Sequence, residues 1–176
     1  LAANLKKLDI IKSSSVNIEY NTLLFKIINI WPNNKSVLYR LANYYKSKSL
    51  YHKSLKIYKK ILDHYDSNDR DLFLYASNLD KIGKWEEAKI LFLQLLKKNP
   101  RDTFTLNYVS YKLALKKQEL DLALDLIKKA LVLDPNNGYF LDTLGWVEFK
   151  RKKYNSAVYF LEKSVSILPR SAEVIN

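Results

Sequence analysis

Along most of this chain, apolar and small residues fall at i, i+3, i+4 and i+7 within segments of about fourteen residues, one stripe of a helix with 3.6 residues per turn. Leu38, Ala42 and Tyr45 make one such stripe, and Tyr51, Ser54 and Tyr58 make the next. The strict alternation of a half-buried strand is absent. The pattern predicts helices over 35–47, 51–65, 69–82, 85–98, 103–116, 120–133, 138–151 and 154–167. A shorter apolar stretch at Leu23 to Trp31, interrupted by Lys26, predicts a further helix and is far too short to span a membrane.

The pattern also repeats. Pro32, Pro100, Pro135 and Pro169 are separated by 68, 35 and 34 residues, and 68 is twice 34, with Asp66 where the intervening proline would stand. In this register Leu38, Leu72, Leu106 and Leu141 fill one column. Small Ala42, Ala76, Ser110 and Gly145 fill a second, and bulky Tyr45, Leu79 and Leu113 a third, where Glu148 is the exception. The second half of each repeat aligns Tyr51, Trp85, Leu120 and Tyr154, then small Ser54, Ala88, Ala123 and Ala157, then bulky Tyr58, Phe92, Ile127 and Leu161.

Small side chains are needed where two helix axes cross closely, and bulky ones fill the space around the crossing. Proline suits the break after a helix because it has no amide donor and clashes with a preceding turn. Gly83 and the polar runs Ser47 to Ser49 and Lys116 to Glu119 supply the inner turns, the last absorbing one extra residue. Each repeat is therefore a pair of antiparallel helices.

These columns resemble the tetratricopeptide repeat. The strongest stretches are Leu144-Gly145-Trp146 followed by Tyr154, Ala157 and Pro169, and Gly83-Lys84-Trp85-Glu86-Glu87-Ala88 closing at Pro100. The pentatricopeptide repeat has a similar period, but the small residue early in each first helix and the terminal proline favour the tetratricopeptide type. The resemblance implies an all-α, right-handed superhelical solenoid with repeats at 35–68, 69–102, 103–137 and 138–171. Residues 1–34 read as a divergent helical hairpin or cap, with Tyr20 where a small residue is expected, and 172–176 as the start of a further first helix. The run Asn136-Asn137-Gly138-Tyr139 leading into Leu144-Gly145-Trp146 is similar to repeats of exported or envelope-associated bacterial proteins. A bacterial source is thus expected, with the envelope or periplasm favoured and the cytoplasm left open.

Composition narrows the chemistry. The 176 residues include no cysteine, which excludes disulfides, thiolate metal sites and cysteine nucleophiles, and no methionine even at residue 1, so the chain reads as part of a longer product. No GxGxxG, GxxxxGK[ST] or GxSxG motif occurs, and three isolated glycines cannot cradle a phosphate. The two histidines, His52 and His64, lie near opposite ends of one helix and supply no metal site. Asp69 and Asp71 at a helix start fit capping. The expectation is a chain without enzyme activity, cofactor, metal or small-molecule substrate, binding a protein or peptide, and meeting a membrane only indirectly.

In the tetratricopeptide family the stripe of each first helix beside its core stripe lines a concave groove that holds an extended peptide or a partner helix. Carried onto this chain, the groove takes Tyr39, Asn43, Arg70 and Phe73 from the second and third units, a polar lining. The fourth and fifth units supply Phe104, Asn107, Tyr108, Tyr111, Tyr139, Asp142, Trp146 and Phe149, an aromatic one. These rings either pack between adjacent first helices or form an apolar anchor for a partner, and the two readings are compatible. The carboxylate clamp of chaperone-binding members is missing, because only Asn43 matches. The asparagine ladder of sugar-transferring members is missing too, its column reading Arg40, Leu74, Tyr108 and Thr143.

The net charge is +12. Only five of the 30 basic residues are arginine, and the abundance of Lys, Asn, Ile and Tyr is what an A and T rich genome would encode. Half of the charge sits in residues 35–68, where Lys53, Lys56 and Lys60 share a helix face beside Lys59. This stripe is either a solvated outer face or a site for acidic protein, lipid headgroup or nucleic acid. Nucleic-acid or anionic-surface binding is therefore the alternative function, and nucleic acid is the weaker partner class because phosphate readers favour arginine.

Overall fold

A computed structural model describes residues 1–13 and 17–168. Within them the secondary structure is α-helical, with no strand: α1 (Ala2–Ser13), α2 (Asn17–Ile30), α3 (Lys35–Ser47), α4 (Tyr51–His64), α5 (Asp69–Lys81), α6 (Trp85–Lys98), α7 (Thr103–Lys116), α8 (Leu120–Leu133), α9 (Gly138–Lys150) and α10 (Tyr154–Ile167). Helix ends match the periodicity closely, and those at His64, Lys81 and Lys150 fall one residue short of expectation. Pro169 and the segment Ala172 to Asn176 lie outside the described residues.

Local chemistry explains the starts. Asn34, Asn68, Asp102 and Asn137 occupy the same place before α3, α5, α7 and α9, and each side chain accepts a hydrogen bond from a backbone amide in the first turn. At α5 this is a reciprocal capping box, in which Asp71 also accepts from the Asn68 amide at 3.1 Å. Asp71 is fully buried, and Lys35 Nζ at 3.0 Å compensates its charge. The inner turns need one left-handed residue each, found at Ser49, Gly83, Lys117 and Lys152. Only Gly83 adopts that conformation without steric penalty. In the third of these turns Glu119 is left-handed as well, consistent with the extra residue there. Lys152→Gly is accordingly expected to raise stability by about 1 kcal/mol in a denaturant titration.

The chain divides into two compact units, Leu1–Leu91 and Phe92–Asn176, with the division inside α6. In the first, α1 packs on α2, α2 on α3, α3 on α4 and α4 on α5. Leu8, Leu24, Ile27 and Val37 make one buried cluster, and Leu38, Ala42, Tyr58 and Ile61 a second. The N-terminal hairpin puts Leu8 and Tyr20 in the two small columns, and Arg40 of α3 ties it down through paired contacts of 2.6 and 2.9 Å to Asp9 of α1. Arg40 also donates a hydrogen bond to the Tyr20 hydroxyl, whose pKa burial nonetheless raises.

In the second unit α7 packs on α8 and α9, α8 on α9, and α9 on α10. The small columns are buried as their role requires: Ser110 donates to the Ala123 carbonyl of the partner helix at 2.7 Å, and Gly145 lies against Leu161 and the Ala157 carbonyl. Two columns depart from the pattern. Glu148, at the bulky place, is buried and pairs at 3.4 Å with Arg151, which also reaches Asp121 at 2.9 Å. Tyr154 is 57% exposed whereas Trp85 in the same column is buried.

Candidate functional site

The first helices present their second, fifth, ninth and twelfth places beside the core stripe, so candidate residues come in two groups, one in each unit. In the first unit α3 and the start of α5 enclose a cavity of about 530 Å³ lined by Lys35, Ser36, Tyr39, Arg40, Asn43, Asn68, Arg70 and Leu74. It brings together Tyr39, Asn43 and Arg70 and adds Lys35 and Arg40, which periodicity had not singled out. Phe73 is half-buried on α5 and does not line it.

Three cations surround this cavity, but Lys35 is paired with Asp71 and Arg40 with Asp9. Arg70 has no carboxylate partner among the described residues. Burial pushes the Tyr58 hydroxyl up to about 12, against the pull of Arg70, so it stays protonated and donates to Asn43 Oδ1 at 3.1 Å. That bond commits the Asn43 carbonyl and leaves its exposed amide able to donate to a partner carbonyl.

In the second unit the face is built from α7 and α9, which pack on each other. Phe104 and Tyr139 are 64% and 67% exposed, and Tyr111 and Phe149 are exposed to a lesser degree. Trp146 is half-buried, stacked on Phe149 with centroids 5.4 Å apart and planes 18° apart. Lys150 Nζ sits 4.0 Å from the Trp146 centroid, a cation–π contact, and 5.4 Å from that of Phe149. Tyr108 turns inward instead, its ring 5.0 Å from that of Phe92. Tyr108 and Trp146 thus pack against other rings, while Phe104 and Tyr139 leave most of their surface to solvent.

The polar groups among these rings are few. The Asn107 carbonyl oxygen and the Trp146 indole nitrogen are covered and lack hydrogen-bond partners. Asp142 lies three residues after Tyr139 and four before Trp146, hence on the same helix face. Burial raises its carboxyl pKa above the usual value. Because the folded chain then holds this proton more tightly than the unfolded one, stability falls as pH rises between the two pKa values and stays lower above them. Asp142→Asn should remove that loss and give a higher melting temperature than the parent at pH 7, with the difference vanishing at pH 3.

The lysine stripe lies on α4. Lys53, Lys56 and Lys59 are exposed, but Lys53 Nζ stands 5.6 Å from the Tyr45 ring centroid, and half-buried Lys60 donates to Asn33 Oδ1 at 2.8 Å. Two of the four cations thus have structural contacts.

Antiparallel helix pairs of nearly constant length, with small residues at the crossings and an asparagine or aspartate before each first helix from α3 onward, define an all-α helical-repeat protein of the solenoid class. A family model described as tetratricopeptide repeat matches residues 72–102. The chain is 29% identical over 123 residues to a TPR repeat-containing protein of Methanocaldococcus jannaschii, an alignment covering 70% of this chain and 21% of that protein. The chain thus spans about a fifth of this curated relative.

Among solved structures, a thermophilic TPR protein of Thermus thermophilus superposes with a TM-score of 0.75 at 16% identity, covering 98% of this chain and 93% of that one. MamA of Desulfovibrio magneticus RS-1 superposes at 0.76 and 14% identity, over 94% and 93%. YrrB, described as a TPR protein with an unusual peptide-binding site, superposes at 0.68 and 18% identity, over 96% and 87%. At these identities the likeness concerns the fold. Together with the family match at residues 72–102, it gives this chain an all-α helical-repeat fold similar to that of tetratricopeptide-repeat proteins.

Proposed function

We propose that the chain is a non-catalytic scaffold that holds a peptide or partner helix on the first-helix faces of its repeats, with the aromatic face of α7 and α9 as the anchor. The observation that carries this reading is the exposure of Phe104 and Tyr139 on a face where Trp146 and Phe149 are already stacked. Helix packing alone gives no reason to leave such rings in water, and a concentration of aromatic surface is typical of binding hot spots. Asn43 and Arg70 in the first unit suit a partner's backbone carbonyl and carboxylate. YrrB's description as a peptide-binding TPR protein agrees with a peptide as the ligand class.

The test is selection of ligands from a displayed random peptide library, followed by amide hydrogen exchange of the chain with and without a selected peptide. Protection concentrated in α7 and α9 is the expected result. Protection confined to α4 would refute the anchor assignment and favour an anionic ligand on Lys53, Lys56, Lys59 and Lys60. In that event oligonucleotide or acidic-lipid binding should fall steeply with added salt and disappear on reversing Lys53, Lys56 and Lys59 to Glu.

A further inference from the structure

The face of α7 and α9 is ordered in rungs. Phe104 and Tyr139, Asn107 and Asp142, and Tyr111 and Trp146 hold equivalent places in successive repeats, and the two helices that carry them pack on each other. On each helix the polar residue follows one ring by three residues and precedes the next by four, so it lies between them on one face. A polar rung thus sits between two aromatic ones.

That rung is short of donors. Asp142 is exposed, and among the described residues its carboxylate has neither ion pair nor hydrogen bond. Partial burial alone shifts its pKa, with no neighbouring cation to offset the rise. The covered Asn107 Oδ1 has no donor either. Elsewhere in the same unit Asp102 caps α7, Asp134 accepts from Asn137, and Asp121 and Glu148 share Arg151. The fold therefore employs those four carboxylates and leaves Asp142 unaccounted for.

The surrounding rings favour a cation. Lys150 already shows this on the same face, its ammonium 4.0 Å from the Trp146 centroid and 5.4 Å from that of Phe149. Tyr139, one turn before Asp142, is mostly exposed, and among the described residues no ring or cation lies against it. A carboxylate beside an unused ring face attracts an ammonium or guanidinium twice, by charge and by the ring quadrupole. An anion would be repelled there, and a purely apolar side chain would desolvate the carboxylate without pairing it.

We propose that the face of α7 and α9 selects a peptide with a basic residue, whose ammonium or guanidinium pairs with Asp142 and rests on the ring of Tyr139. This rests on the reading of that face as the anchor and adds the charge of what it holds. The net charge of +12 opposes the approach of a cationic peptide. Screening over about 8 Å at physiological salt confines that repulsion to the encounter and leaves the contact with Asp142 to decide specificity.

The experiment selects, on the full 176-residue chain, two displayed peptide pools that are identical except for a central position fixed as Arg in one and Gln in the other. Recovery from the Arg pool should exceed that from the Gln pool by about tenfold or more on the parent, and the excess should vanish on Asp142→Asn. That variant stays folded, with a melting temperature at pH 7 no lower than the parent's. Weaker binding together with undiminished stability is a result that a structural role for Asp142 does not produce. Equal recovery from the two pools, or an excess that persists on Asp142→Asn, overturns the proposal. If peptides of the Gln pool bind equally well and protect α7 and α9 from amide exchange, the face still anchors a peptide and only the preference for a cation is refuted. If the recovered peptides protect other helices instead, the anchor assignment fails as well.

Discussion

Trp146→Ala is expected to weaken partner binding by about 2 kcal/mol or more, roughly thirtyfold in Kd, measured by calorimetry with a selected peptide. The ring is held on one side by Phe149 at 5.4 Å and capped by Lys150 at 4.0 Å, so it is already oriented and costs little entropy to use. Its removal also releases Phe149 and Lys150 from their present arrangement, and some loss of stability is expected. The discriminating comparison is Tyr139→Ala: that ring is two-thirds exposed and contributes little packing, so its loss should leave the melting temperature nearly unchanged while still reducing affinity. If Trp146→Ala lowers the melting temperature sharply, and folded Trp146→Ala and Tyr139→Ala proteins both bind normally, the aromatic face is structural and the anchor lies elsewhere.

Gly145→Leu should be the most damaging single substitution at a helix crossing. A Cβ at residue 145 would stand 2.7 Å from Leu161 Cγ and 3.2 Å from the Ala157 backbone carbonyl, and the backbone cannot rotate out of the way. Overpacking of this kind costs roughly 1 to 3 kcal/mol, and a side chain as long as leucine belongs at the upper end. Ala157→Leu, which enlarges the opposite side of the same crossing, should cost a comparable amount. The double variant should lose less than the sum once the helices have been forced apart. Thermal unfolding of the three proteins checks this, and an unchanged melting temperature for both single variants would mean that the small columns do not mark the crossings.

Helix positions were legible because each is specified locally and then repeated. A stripe with a period of 3.6, a capping side chain at Asn34, Asn68, Asp102 and Asn137, and a left-handed turn residue at Ser49, Gly83, Lys117 and Lys152 recur at nearly fixed spacing. Repetition averages out individual departures such as Glu148. The candidate face was legible as a set of positions for the same reason, since a helix surface follows from the register.

Which of those positions are open was not legible, because exposure depends on neighbours that periodicity does not name. Tyr108 and Tyr111 are alike in the sequence, yet Tyr108 packs on Phe92 while Tyr111 stays exposed. Lys53 and Lys60 looked like free cations of a basic stripe, and the ring of Tyr45 and the side chain of Asn33 occupy them. Arg40 had no assigned task, and its pairing with Asp9 across 31 residues joins the N-terminal hairpin to the first regular repeat. By itself the sequence determined the helices, the crossings and the register, since these arise from propensities and contacts only a few residues or one repeat apart. Only the tertiary structure decided which charges are paired and which rings are consumed by packing, because each depends on the side chains that a neighbouring helix brings against it.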